Sequence, residues 1–237
     1  MSRSSSVRIW DLPVRLCHWL LVILVAGLYL TGEVGGFDLE LPWPGGNTIY
    51  LGNMDVHALL GQAVLGVLVF RVLWGFFGST TARFSDFVRG PASVIRYLRE
   101  LLSGRIPEAR GHNPAGAVMV LLLLLLLATQ TGTGLFASDD FFFEGPLAHR
   151  VDSDTSQTLT RLHKLNFNGL LFAIGLHVLA SVYYLIRGKN LIGAMVHGRK
   201  SEDQLAGAEA RPQFAGAWKA WLVAVLAVAA VWGLQEL

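Results

Sequence analysis

Five stretches of the chain are apolar almost without interruption, at roughly 14–32, 56–78, 115–136, 162–186 and 214–235. Each reaches the ~20 residues that an α-helix needs to cross the ~30 Å hydrocarbon core of a bilayer. The pattern therefore predicts an all-α integral membrane protein whose connections are 33–55, 79–113, 137–160 and 187–213. The first stretch follows Arg3 and Arg8 as a signal peptide would. It carries the polar pair His18-Trp19 inside the run, however, and no A-x-A cleavage pattern follows, so we read it as a retained helix. Residues 121–127 are seven leucines in succession, which suit lipid contact and carry no chemistry. Pro91 followed by ASVIRYLRELL predicts a short amphipathic helix lying on the membrane surface, with Pro91 in its first turn. No internal repeat is evident.

Composition agrees with this class: 53% of the residues are hydrophobic and only 15% charged, against about 25% charged in a soluble domain. The single cysteine, Cys17, excludes an intrachain disulfide, a CxxCH heme attachment and a cysteine-ligated cluster. It reads as a small apolar helix residue. The net charge of +2 says less than its distribution. Connection 79–113 carries Arg83, Arg89, Arg96, Arg99, Arg105 and Arg110, and connection 187–213 carries Arg187, Lys189, Arg199, Lys200 and Arg211. The other two hold one basic residue between them, Arg150. By the positive-inside rule the N-terminus is expected in the cytoplasm and the fifth helix to end outside. The outer connections are acidic, with Glu33, Asp38, Glu40 and Asp55 on the first and Asp139, Asp140, Glu144, Asp152 and Asp154 on the second. Arg161 and Lys164, at the mouth of the fourth span, offer the further positive charge on that side.

Four of the seven histidines, His18, His57, His163 and His177, fall inside expected spans. Ionisable side chains within a membrane are rare and costly unless partnered. Each could be a neutral imidazole hydrogen-bonded to a neighbouring helix, but their depths match. His163 and His177 are fourteen residues apart on one helix, hence about 21 Å along the axis and on nearly the same face. Following the chain in and out of the membrane, His18 is level with His177 near the inner surface, and His57 with His163 near the outer. Two neutral imidazoles facing across a bundle core hold a six-coordinate b-type heme. No span carries Asp or Glu at these depths, and zinc would want further ligands at each level. Two hemes, one per leaflet, use all four rings. Arg71 lies fourteen residues after His57, at the inner depth; a heme propionate would give its guanidinium fork a counter-charge, the alternative being that it snorkels to the headgroups. Gly32 lies at the outer level, where its missing side chain would admit a flat macrocycle or serve helix packing. His112, in GHNPAG before the third helix, His149 and His197 are expected at solvated or headgroup positions. The third helix, without a histidine, is expected only to complete the bundle, and the fifth to be a peripheral addition.

The segments VRIWDLPVRLCHWLLVILVAGLYLTG, GHNPAGAVMVLLLLLLL, DDFFFEGPLA and RLHKLNFNGLLFAIGLHVLA, followed by HGRK, resemble the prokaryotic cytochrome b561 and nickel-iron hydrogenase cytochrome b subunit family over about residues 7–200. The resemblance implies a four-helix transmembrane bundle holding two b hemes, with His18, His57, His163 and His177 as the metal ligands. Residues 1–200 would form this diheme bundle, and 201–237 a linker and an extra C-terminal transmembrane helix. Members exchange electrons between the quinone pool of the bacterial inner membrane and a c-type cytochrome, a hydrogenase or another oxidoreductase; some relatives are superoxide oxidases that reduce ubiquinone. The implied function is thus a membrane electron-transfer cytochrome with quinone as substrate and a periplasmic redox protein as partner, and no nucleic acid. A transporter relaying protons through its histidines is the reading from another class. It would call for broken helices or midplane carboxylates, and the spans show neither.

Overall fold

The structure, a computed structural model, describes residues 6–139, 143–202 and 211–236. Arg3, Asp140 and most of the 201–210 linker lie outside the described residues. The elements in chain order are β1 (Ser6–Arg8), α1 (Leu12–Tyr29) continued by a π-helical turn (Leu30–Val34), β2 (Leu39–Trp43), β3 (Asn47–Leu51), α2 (Asn53–Phe77), α3 (Phe84–Phe87), α4 (Pro91–Leu102), α5 (Pro114–Gly134), α6 (Ser153–Ile186), α7 (Leu191–His197), β4 (Arg199–Ser201) and α8 (Ala217–Gln235). Five helices are long and apolar enough to cross a membrane, and they are the five that the hydropathy pattern predicts. The all-α membrane architecture stands; the strands form only two short antiparallel ribbons, β1 with β4 and β2 with β3.

Helix starts follow from side chains that accept the orphan N–H groups of a first turn. Asp11 Oδ1 accepts from Val14 N at 2.9 Å, and Asn113 Oδ1 accepts from Gly116 N at 2.7 Å, with Pro114 opening α5. The largest departure from the hydropathy reading is at α6, which begins at Ser153 and not near 162. Its added turns, SDTSQTLTR, are polar and invisible to a search for apolar runs. They are set by Asp152, whose carboxylate accepts from Thr155 N at 2.9 Å and from the Thr155 hydroxyl at 2.8 Å. These hydrogen bonds hold the Asp152 carboxyl below its ordinary pKa range. The helix α4 forms where expected, with Pro91 at its first position.

The chain divides into two compact units. One comprises Met1–Leu16, Phe70–Leu125 and Leu170–Val225. Its core is Ile9, Trp10, Val14, Trp74, Ala82, Ala194 and Val223. Asp11, buried beside that core, takes the Trp74 Nε1 proton at 2.9 Å. Both basic connections belong to this unit, and much of their charge is engaged locally. Arg110 pairs with Asp86 at 2.8 Å, Lys189 with Glu108 at 3.2 Å, and Lys200 donates to the carbonyls of Ala109 and Arg110 at 3.1 Å. The α4 helix is tied down by Tyr97, whose hydroxyl lies 2.7 Å from that of Tyr184. Burial, and secondarily that hydrogen bond, push the Tyr97 phenol well above its ordinary pKa. The fifth spanning helix, α8, contributes Val223 to this core, and the segment before it bonds to Ser79 and Thr80. Its remaining surface is exposed at Trp218, Trp221, Val225, Val228 and Trp232, as a lipid-facing helix would be.

The other unit comprises Cys17–Val69, Leu126–Gly169 and Leu226–Leu237. Here α1 and α2 approach closely at Gly27, where an added Cβ would stand 3.1 Å from Leu60 Cδ1. The acidic connection 33–55 folds into the β2–β3 ribbon, which the sequence reading did not foresee. Its turn, Pro44-Gly45-Gly46, places both glycines at positive φ, 93° and 81°.

Candidate functional site

The second unit brings two of the four candidate histidines together. His57 lies on α2 and His163 on α6, and their ring centroids are 6.4 Å apart with the planes crossing at 71°. In both rings Nδ1 is engaged. Nδ1 of His57 lies 2.8 Å from Thr31 Oγ1, whose own proton goes to the Gly27 carbonyl at 2.9 Å. The hydroxyl oxygen therefore accepts, and the proton sits on Nδ1 of His57. Nδ1 of His163 lies 2.9 Å from the Gln130 carbonyl, which can only accept, so the same tautomer holds there. Thr133 Oγ1 lies 3.3 Å from that nitrogen and gives its proton to the Thr129 carbonyl at 2.7 Å. Each ring is thus left with an Nε2 lone pair, the form in which imidazole binds a metal.

The surroundings explain how these positions arise. Thr31 sits in the π-helical turn that ends α1, closed by Gly35 N donating to Leu30 O at 3.0 Å. Asn53 takes up the Thr31 carbonyl with its side-chain amide at 2.8 Å. At Gln130, the side-chain carbonyl accepts from Asn166 Nδ2 at 2.6 Å, and the same amide reaches the Leu126 carbonyl at 3.0 Å. Two glycines flank the rings: a Cβ at Gly32 would stand 3.1 Å from Cε1 of His57, and one at Gly134 3.0 Å from Cε1 of His163.

His18 and His177 stand in different units. The His18 ring meets Trp19 edge-on at 5.1 Å, and His177 is one turn before Ser181, whose hydroxyl caps its carbonyl at 2.9 Å. Arg71, in the first unit, is 7% exposed, with Nη1 3.4 Å from the Ala82 carbonyl and the guanidinium 5.4 Å over the Phe84 ring. Among the described residues, no three His, Cys, Asp or Glu side chains converge as a metal cluster would require.

A family profile described as prokaryotic cytochrome b561 matches residues 9–198. The chain belongs to the prokaryotic cytochrome b561 family. Within it, the chain is 27% identical over 219 residues to the "Probable Ni/Fe-hydrogenase 1 B-type cytochrome subunit" of Escherichia coli K12, covering 81% of this chain and 90% of that one. It is also 32% identical over 81 residues, about a third of each chain, to the "Probable Ni/Fe-hydrogenase B-type cytochrome subunit" of Rhizobium leguminosarum bv. viciae. The protein is a multi-pass membrane b-type cytochrome of the b561 and hydrogenase cytochrome family.

Heme b, which the family implies, is compatible with the His57–His163 pair: the ring centroids, 6.4 Å apart, leave space for a metal between two imidazoles that would each bind it through Nε2. Two protein ligands suffice because the macrocycle brings four nitrogens of its own. When bound, the heme supplies one-electron transfer between ferric and ferrous iron. His57 and His163 would hold it through Nε2, and the hydrogen bonds of their Nδ1 atoms to Thr31 and the Gln130 carbonyl set the tautomer of each ring.

Several of these residues escaped the sequence reading. The third spanning helix, α5, does more than complete the bundle: it supplies the Gln130 carbonyl, Thr133 and Gly134 around His163. The signal was present in the segment TQTGTG, a polar and glycine-rich end on a leucine helix. His112 also differs from expectation. It is half-buried, its ring packed between Trp10 at 4.7 Å and Phe87 at 4.6 Å, because the loop that carries it folds onto the aromatic core. His149 and His197 are exposed, as expected.

Proposed function

We propose that this cytochrome is a diheme electron conduit of the bacterial inner membrane. It would exchange electrons between the quinone pool and a periplasmic redox protein such as a c-type cytochrome, with the N-terminus in the cytoplasm. The observation that supports the reading most is the approach of His57 and His163, whose ring centroids are 6.4 Å apart with both Nδ1 atoms engaged and both Nε2 atoms left for a metal; the spacing of the four histidines along the sequence suggests two level pairs. His18 and His177 would hold the second heme, and Arg71 would pair with a propionate of that inner heme. The basic connections support the orientation.

The charge on the opposite side supports a protein partner. Glu33, Asp38, Glu40, Asp55, Asp139, Glu144, Asp152 and Asp154 all belong to the second unit, which also contains the His57–His163 pair. Such a face repels a superoxide anion and steers a basic protein toward it. Arg161 and Lys164, beside His163, are the local exception and the basis of the competing superoxide oxidase reading. A second assignment, the membrane subunit of a nickel-iron hydrogenase, is favoured by the printed names of both relatives.

Dithionite-reduced minus oxidised spectra with heme quantitation test the conduit directly. We expect two hemes per chain in the parent and one in His57→Ala; one heme in the parent, or two in the variant, would contradict the pairing. Stopped-flow oxidation and reduction then separate the partners. Exposed charges are screened over about 8 Å at physiological ionic strength, so exchange with cytochrome c should slow as salt rises. Near-diffusion-limited reduction by superoxide with negligible cytochrome exchange would replace the conduit by the oxidase. Co-purification of a nickel-iron hydrogenase in mild detergent would identify the subunit role.

A further inference from the structure

The β2–β3 ribbon has two chemically different faces. In its register Leu39 is opposite Leu51 and Leu41 is opposite Ile49, with Trp43 opposite Asn47 at the turn. Side chains directly opposite in an antiparallel pair share a face, so Leu39, Leu41, Trp43, Ile49 and Leu51 lie on one side. Glu40, Pro42, Thr48 and Tyr50 lie on the other. Glu40 is paired with Tyr50 on that face, and Asp38 continues the same alternation one step before the strand; Asp38 above all, with Glu40 and Asp55, raises the Tyr50 phenol pKa. The second face is therefore the acidic one. The apolar face is largely exposed, Trp43 by 58%.

An isolated two-stranded ribbon is marginal in water and needs a surface to rest on. This one is fixed at its base to two membrane helices. Asn53 N donates to Asp38 Oδ1 at 2.8 Å, Phe37 N to Asn53 Oδ1 at 3.2 Å, and Asn53 Nδ2 to the Thr31 carbonyl at 2.8 Å. The apolar face also continues an exposed apolar run along the end of the first spanning helix, through Tyr29, Leu30, Val34 and Phe37. On a membrane-spanning helix such exposed apolar side chains would meet lipid, and in the sequence the run leads into Leu39. Open strand edges cannot enter hydrocarbon, where their N–H and C=O groups would lack partners. The interfacial zone, where water reaches those edges and Trp and Tyr are enriched, meets both demands.

We infer that the β2–β3 ribbon lies in the interfacial zone of the bilayer, with Leu39, Leu41, Trp43, Ile49 and Leu51 against the acyl boundary and Glu40, Thr48 and Tyr50 turned to water. The partner of the apolar face is lipid. The ribbon then keeps acidic groups at the aqueous surface while clamping the start of α2, four residues before His57. This placement depends on the chain spanning a membrane and not on the number of hemes or the identity of the electron partner.

Environment-sensitive fluorophores on single cysteines test it, in the full chain with Cys17→Ser and reconstituted in lipid nanodiscs. A label at Leu41→Cys should emit to the blue, lose intensity to brominated acyl chains and resist iodide. A label at Glu40→Cys, one residue away on the opposite face, should lose intensity to iodide and resist brominated lipid. Ile49→Cys and Thr48→Cys repeat the alternation on the second strand, should either label of the first pair disturb the fold. Iodide quenching at both 40 and 41 would overturn the inference, because the ribbon would then stand in water and be open to a soluble protein. Protection of position 41 from both quenchers would overturn it too, with protein and not lipid covering that face.

Discussion

The hydroxyl of Thr31 lies 2.8 Å from Nδ1 of His57, and its own proton is committed to the Gly27 carbonyl. A hydrogen bond that accepts the Nδ1 proton makes imidazole a stronger donor at Nε2, which stabilises ferric iron. Thr31→Val keeps the shape and removes the acceptor. With a hydrogen bond worth about 1 kcal/mol and 59 mV per tenfold change in a one-electron equilibrium, the potential of a heme held by His57 and His163 should rise by roughly 20–60 mV. Optical redox titration reads this. An unchanged potential would show that the hydroxyl does not tune the iron.

Gly134 leaves room for the ring of His163, since an added Cβ would stand 3.0 Å from its Cε1. Gly134→Ala forces the ring to shift, and overpacking of this kind costs about 1–3 kcal/mol. The variant should show lower heme occupancy or an altered heme band. Gly61→Ala is the control, because nothing lies within 4 Å of a Cβ at that glycine. Identical spectra for the two variants would remove Gly134 from the site.

Arg71 is buried, with its guanidinium over Phe84 and near the Ala82 carbonyl. If it faces a propionate of the inner heme, its charge favours the reduced state. A unit charge about 8 Å from the iron at an effective dielectric near 20 contributes about 2 kcal/mol, so Arg71→Leu should lower the inner potential by on the order of 50–100 mV. A parent-like potential in a well-folded Arg71→Leu variant would leave the arginine a purely structural role.

Asp11 accepts from Val14 N and from Trp74 Nε1, both at 2.9 Å, while 3% exposed. Asp11→Ala removes a helix cap and leaves the buried indole N–H of Trp74 without its acceptor, at a combined cost of about 2–4 kcal/mol. Thermal unfolding in detergent should drop by several degrees, and Asp11→Asn, which keeps one oxygen acceptor, should recover part of the loss. Equal melting of Asp11→Ala and the parent would refute the role assigned to this carboxylate.

The five spans were legible because a bilayer imposes one local demand, about 20 apolar residues, that composition alone satisfies or fails. The histidine candidates were legible for the same reason: His57 and His163 stand out where hydrocarbon makes an imidazole costly. What lay outside those demands was missed. The polar first turns of α6 depend on Asp152 and Thr155, and the β2–β3 hairpin was signalled by alternating LELPW and NTIYL around Pro44-Gly45-Gly46, a pattern that a search for apolar spans passes over.

The sequence by itself determined the membrane class and the five candidate spans, since these follow from hydropathy and a rise of 1.5 Å per residue. Tertiary structure alone decided which groups surround His57 and His163. Gly32 stood out in the sequence by its spacing from His18, but Thr31, Gln130, Thr133 and Gly134 are ordinary helix residues there, and they become the partners of two imidazoles only when α1, α2, α5 and α6 pack. The physical reason is that hydropathy is a property of single residues, whereas a hydrogen bond or a close glycine contact requires two segments distant in the chain to fix each other's position.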